Sequence, residues 1–237
     1  MKKIIALILT LCCVFSFAAC GNDETASDGI AEFTAMYAVS APTKVATTYS
    51  VKLGNVNVSG TSVLTAGTLN DGSSATVLVY DYSELDTISN GAGEVITPIS
   101  TKSSGSREFV EGKGERVDGG SWDPNGFNFA PTAGSLGISL SKETVKNPTY
   151  SVNGKTHTLS FTVEEANTGA VFGPDYEIFG DATVVITADG AVITGITVSY
   201  KIPIVPEDED EELVYPDAEV SISTQYTYVL ERVTLTK

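Results

Sequence analysis

Apolar residues recur along this chain with two different periods. Ile30, Phe33, Met36 and Tyr37 fall at helical spacing, with Asp28 placed to cap the start and Pro42 lying beyond the end. This pattern predicts a helix over 29–39 that packs one apolar stripe against a sheet. From Val45 onward the period becomes two. Val45, Tyr49, Val51 and Leu53 share one parity, and Ala46, Thr48, Ser50 and Lys52 take the other. Leu159, Phe161 and Val163 alternate in the same way with Thr158, Ser160 and Thr162. The stretch 181–203 reads as two strands around Asp189-Gly190, a strong hairpin signal. In its second arm Val192, Ile196, Val198 and Tyr200 share a face. In the last strand Val220, Ile222, Tyr226, Tyr228 and Leu230 share a face, after which Val233 and Leu235 switch parity. That slip of phase predicts a β-bulge near Val229–Arg232.

Turn chemistry divides the remaining strands. Asn70-Asp71-Gly72 separates two alternating runs, and Gly112-Lys113-Gly114 can close a hairpin within REFVEGKGERVDGG. The middle third, 86–135, is rich in glycine and poor in apolar residues. SWDPNGFNFAP within it reads as irregular, and SLSKETVKNP beyond it as a helical turn. No repeat of solenoid or propeller period appears. Alternation with one apolar face is the antiparallel signature. The expected architecture is mainly β: one curved antiparallel sheet of about nine to eleven strands, with one N-terminal helix and minor helical turns. Closed barrel, half-barrel and sandwich all satisfy the pattern taken alone.

The first residues change the picture from fold to place. Met1-Lys2-Lys3 precedes an apolar run from Ile4 to Ala19, which falls short of the about 20 residues a membrane span needs. A basic tip, a short apolar core and small residues before a break describe a secretory signal peptide. Phe17-Ala18-Ala19-Cys20 is the form of a bacterial lipobox, with Phe17 where leucine is usual, so Cys20 is the expected lipid attachment site. Plain secretion, with Cys20 as a leftover thiol, is the alternative. The other cysteines, Cys12 and Cys13, lie in the leader, which leaves the mature domain without a disulfide or a thiolate site. The chain therefore divides into a signal peptide (1–19), a flexible acidic tether (20–28) and one β domain (29–237). It is expected to be exported and lipid-anchored at the outer face of the bacterial cell membrane. The net charge of −16 excludes nucleic acid as a partner by general electrostatics.

The lipobox, the helix IAEFTAMYAVSAPTKV, the long meander and the terminal series LSFTV, ATVVITADGAVITGITVSYKI and AEVSISTQYTYVL together resemble the LolA/LppX-like lipoproteins. The resemblance implies a half-barrel, a strongly curved antiparallel sheet closed by helices around an apolar cavity that holds acyl chains. It implies no catalytic residues. The chain departs from that pattern in 86–135, where little helix is legible for a lid.

Chemistry-bearing residues are sparse. His157 is the chain's single histidine and begins a strand, which suits a residue at the sheet rim better than a triad or a transition-metal site. The stretch 204–217 carries seven carboxylates but lacks the spacing and turn glycine of an EF-hand loop. Residues 206–217 are expected to form a solvated surface connection rather than a calcium site. The chain is expected to be no enzyme and to need no cofactor or metal. Its expected role is to hold an apolar, lipid-like ligand in a cavity lined by Tyr49, Val51, Leu53, Phe161, Val198, Tyr200, Tyr226 and Tyr228. The same residues equally form a dry core, which leaves a second reading: an envelope structural or interaction protein working through its surface loops.

The anchor is testable directly. Cys20→Ser is expected to move the protein from the membrane fraction into the medium or periplasm, since an acyl chain contributes roughly 0.8 kcal/mol per buried CH2. Fractionation and immunoblotting read the outcome, and retention of the variant in the membrane would overturn the assignment.

Overall fold

The structure, a computed structural model, describes residues 24–53, 56–86, 99–134, 136–173, 178, 180–202 and 217–235. The leader, Cys20 and residues 203–216 of the acidic stretch lie outside the described residues.

Helix α1 (Glu24–Val39) opens the described chain. It begins ahead of its predicted start, so Asp28 lies within it rather than capping it. Ala26 is the best of helix formers, and Glu24 occupies the first turn, where the helix dipole favours an acid. Strands β1 (Lys44–Leu53), β2 (Val56–Thr68), β3 (Ser74–Asp86), β4 (Ile99–Val110) and β5 (Gly114–Val117) follow as one antiparallel meander. The second meander is β6 (Lys146–Asn153), β7 (Thr156–Val163), β8 (Ala182–Asp189), β9 (Val192–Ile202) and β10 (Ala218–Thr227). A 3-10 turn (Glu165–Asn167) and the short helix α2 (Thr168–Phe172) join β7 to β8. The meanders unite where β1 pairs antiparallel with β10, from Lys44↔Thr227 to Lys52↔Glu219. The result is one open antiparallel sheet in the order β5-β4-β3-β2-β1-β10-β9-β8-β7-β6, which does not close into a barrel.

Register decides which residues share a face. Tyr49 lies opposite Ile222, Ile222 opposite Val198, Val198 opposite Val184, and Val184 opposite Phe161. This row and its neighbours two residues away form the face on which α1 packs. Phe33, fully buried, meets Leu159, Phe161, Val184 and Ile186 in the main core. Ser40 fixes the helix end there. Its hydroxyl donates to the Met36 carbonyl at 2.8 Å and accepts from the Ile193 N–H at 3.1 Å.

A single apolar face does not describe the other wing. In β3 both parities are apolar: Leu78, Tyr80 and Tyr82 lie on the α1 face, while Ala75 and Val77 are buried on the opposite one. There they join Val110 and Val233, with Leu69, Trp122 and Leu235 packed around them, in a second core. Beside it the Glu108 carboxylate, fully buried, is ion-paired to Arg116, whose guanidinium lies 4.9 Å from the Trp122 ring centre. The sheet thus buries one face under α1 and the other under its own C-terminal segment.

That segment also corrects the expected bulge. Strand β10 ends at Thr227, Val229 and Leu230 are exposed, and β11 (Glu231–Arg232) pairs in parallel with Gly67–Thr68 at the end of β2. The change of parity is a strand break, because the chain leaves one face to cover the other. Gly67 permits the crossing, since a Cβ there would collide with the Glu231 carbonyl. The predicted turns at Asn70-Asp71-Gly72, Gly112-Lys113-Gly114 and Asp189-Gly190 all join paired strands.

Phe33→Ala is expected to lower the unfolding free energy by about 3–5 kcal/mol, the cost of a large buried aromatic. Leu230→Ala, at an exposed position, is expected to stay within about 0.5 kcal/mol of the parent. Urea denaturation of the two variants checks both values.

Candidate ligand-binding groove

The α1 face of the sheet is built differently on its two sides. Over β7–β10 it is roofed. Leu136 and Ile138 cross above the strands, held by the Tyr37 hydroxyl, which accepts from the Ile138 N–H at 2.6 Å. Burial pushes the Tyr37 phenol above its ordinary value, and the backbone donor partly offsets this. The Tyr226 hydroxyl donates to the Leu136 carbonyl at 3.3 Å, and the Tyr228 hydroxyl donates to the Ile193 carbonyl at 2.5 Å. Beneath the roof remains a cavity of about 100 Å3 between Leu136, Phe172, Ile178, Ile196, Ile222 and Tyr226. That is well below the about 300 Å3 of small ligand pockets.

Over β1–β3 the same face is a groove of about 250 Å3, lined by Thr47, Tyr49, Thr61, Ser62, Leu78, Tyr80 and Tyr82. The two spaces adjoin through register, since Thr47 opposes Thr224 and Tyr49 opposes Ile222. The groove has its form because two tyrosines face glycines. Tyr49 opposes Gly60, and its ring crosses β2 there to donate a hydrogen bond from its hydroxyl to the Ser83 carbonyl of β3. Tyr80 opposes Gly105 and reaches across β4 in the same manner. A Cβ at either glycine would occupy the space of the ring. Tyr80 and Tyr82 lie with ring centres 5.7 Å apart and planes 33° apart. The rings are half-buried, and among the described residues the groove's lining carries no charged side chain.

The eight residues expected to line a cavity all belong to the α1 side of the sheet, but they divide between these environments. Phe161, Val198 and Tyr226 are buried in the main core, with Tyr200 and Tyr228 packed against it. Burial raises the phenol pKa of both Tyr200 and Tyr228. Tyr49, Val51 and Leu53 lie half-buried on β1, and of the eight only Tyr49 lines the open groove. Sequence reasoning missed Leu78, Tyr80 and Tyr82. Their alternation in SATVLVYDY was the available signal, whereas the placing of Tyr82 by Gly60 and of Tyr80 by Gly105 is a matter of register alone. Cys20 and all of 206–217 but Asp217 lie outside the described residues.

Two other features stand apart from the groove. The Tyr150 hydroxyl donates to Glu32 at 2.5 Å and lies 2.8 Å from His157 Nδ1, which is 3.2 Å from the other Glu32 oxygen. Burial first, and the Glu32 carboxylate second, push the Tyr150 phenol above its ordinary value. This trio clasps α1 to the β6–β7 hairpin. A depression of about 580 Å3 lies largely on the opposite face, floored by Ser50, Ser221, Ser199 and Thr183. Its rim mixes Lys52 and Lys201 with Asp181 and Glu219, and the Lys52–Glu219 pair at 3.5 Å is solvent-exposed. Among the described residues, no three His, Cys, Asp or Glu side chains gather as a metal site.

No family model and no curated protein matches the chain. Among solved structures, a DUF1329 family protein from Desulfovibrio piger is similar over 85% of this chain and 92% of its own, at 9% identity and a TM-score of 0.24. MucB in complex with MucA(peri) is similar over 84% and 92%, at 10% identity and a TM-score of 0.13. Overlap this low carries no argument about fold or function.

The glycine–tyrosine pairing is open to test. Gly60→Ala is expected to cost about 1–3 kcal/mol, because its methyl must displace the Tyr49 ring. In a Tyr49→Ala background that cost is expected to shrink by at least about 1 kcal/mol. A double-mutant cycle measured by denaturation reads the coupling.

Proposed function

We propose that the protein is an exported, lipid-anchored envelope protein that acts by holding an amphipathic ligand in the tyrosine groove. The groove itself carries this reading. Among the described residues it is a part of the α1 face that the roof leaves open, and its lining combines aromatic surface with a few hydroxyls. Binding sites are commonly built this way, from apolar walls with a small number of placed polar groups. A ligand on this face would lie against Leu78 and the three tyrosines, not under α1 where the family resemblance would put an acyl chain. The filled space beneath the roof favours the second reading, an interaction protein with a packed core, for that half of the molecule only. Attachment through Cys20 would present the groove outside the membrane, and no described helix is long and apolar enough to cross one.

Native mass spectrometry of the full chain carrying Cys20→Ser is expected to show a bound species retained from the cell. Tyr82→Ala and Tyr49→Ala are each expected to weaken its retention about tenfold, or 1.4 kcal/mol. A parent protein that carries and rebinds nothing would leave the interaction reading in its place.

A further inference from the structure

The lining of the groove names a ligand class. We infer that the tyrosine groove binds an extended, uncharged glycan strand outside the membrane, stacking its sugar rings on Tyr49, Tyr80 and Tyr82. This rests on the binding role proposed above and specifies what is bound.

Three observations point the same way. The first is composition. One aliphatic side chain, Leu78, stands among three tyrosines and the hydroxyls of Thr47 and Ser62. An acyl chain is held by contiguous aliphatic walls, which this groove lacks. A sugar ring has one face of C–H groups and a rim of hydroxyls. The C–H face matches the electron-rich face of an aromatic ring, and the rim matches phenol and threonine hydroxyls.

The second is charge. Among the described residues no charged side chain lines the groove, and the whole chain carries −16. Polyanions such as nucleic acids or acidic polysaccharides are repelled over the surface and find no cation in the site. The matching ligand is neutral.

The third is shape. The Tyr49 ring lies across β2 at Gly60 and the Tyr80 ring across β4 at Gly105, with Tyr82 on β3 between them. Strands lie about 4.8 Å apart, so this aromatic surface runs on the order of 10 Å across the sheet. A surface of that length suits consecutive rings of a polymer rather than one enclosed monosaccharide. Tyrosine provides such a surface at small entropic cost, because only two side-chain torsions must be held. Here the opposing glycines, and for Tyr49 the bond to the Ser83 carbonyl, hold the rings beforehand.

The test uses the full chain carrying Cys20→Ser. Its probes are N-acetylglucosamine hexamer, cellohexaose, their monosaccharides and phosphatidylcholine vesicles. Calorimetry is expected to show binding of at least one hexamer, at least tenfold tighter than its monosaccharide. Tyr80→Ala and Tyr82→Ala are each expected to weaken hexamer binding at least tenfold, and Tyr82→Phe, which keeps the ring, to weaken it less than Tyr82→Ala. Thermal melting is expected to be near that of the parent for each, and Tyr82→Leu, which keeps apolar volume but lacks the ring, separates stacking from folding. Tyrosine-dependent binding of vesicles without either hexamer would overturn the glycan assignment and leave the groove as a lipid site. Binding of no probe, or binding insensitive to all of these tyrosine variants, would overturn the glycan assignment as well. Loss of hexamer binding only in variants that fail to melt cooperatively, with Tyr82→Leu folded and binding normally, would also overturn it.

Discussion

Everything in this fold depends on one pairing, β1 with β10. Within each meander, every pairing joins a strand to its neighbour in sequence, through tight turns at β2–β3, β4–β5, β6–β7 and β8–β9 and through longer connections at β3–β4, β7–β8 and β9–β10. The β1–β10 ladder is the longest contact that brings the start of the domain to its end, placing Lys44 opposite Thr227, with the short β11–β2 pairing beside it. It aligns Tyr49 with Ile222 and so extends the row that leads through Val198 and Val184 to Phe161. Without that seam, the surface under α1 and the tyrosine groove would belong to separate ribbons. The long loop it closes costs conformational entropy before any contact offsets it. The apolar row across the seam supplies that offset, together with polar contacts such as Thr47 with Thr224 at 3.1 Å.

A sheet this wide has more apolar surface than one short helix can cover. The chain solves this by burying different faces on its two wings. On the β6–β10 wing, α1 and the segment carrying Leu136 and Ile138 cover one face. On the β2–β5 wing, Val233 and Leu235 cover the other, after the chain breaks from β10 and passes over Gly67. The consequence for function is direct. On the α1-side face of the second wing the segment carrying Phe127, Asn128 and Phe129 packs by Thr76 and Arg107, and beside it stand the tyrosines, whose phenol ends tolerate water while their rings shield the backbone. Half-exposed tyrosine is the residue type that suits a surface neither buried nor fully wet.

The glycines opposite these tyrosines show how backbone and side chain cooperate. Glycine weakens a strand interior, since it packs nothing and loses more freedom on folding. Gly60 and Gly105 each have a ring from the adjacent strand laid in the space a side chain would take. The pairing restores contact over the gap and places aromatic surface where standing side chains would otherwise crowd.

Much of the fold was legible in order and period. The alternation of Leu159, Phe161 and Val163, the turn at Asp189-Gly190 and the stripe from Ile30 to Tyr37 specify strands, hairpin and helix by local geometry. That information is enough for a mainly β chain with an antiparallel sheet. The helix start was misplaced because Glu24 and Ala26 belong to no apolar stripe, although both suit a first turn. The parity change after Leu230 was legible as an event, but whether it meant a bulge or a departure to another face was not. The candidate site was legible only in part. Tyr49 was found by parity, whereas Tyr80 and Tyr82 gain their meaning from Gly60 and Gly105 on other strands. Periodicity records which side of its own strand a residue occupies, because neighbours along the chain fix it. Only tertiary pairing decides which residues meet across strands, because register is set by distant segments that must bury their surfaces together.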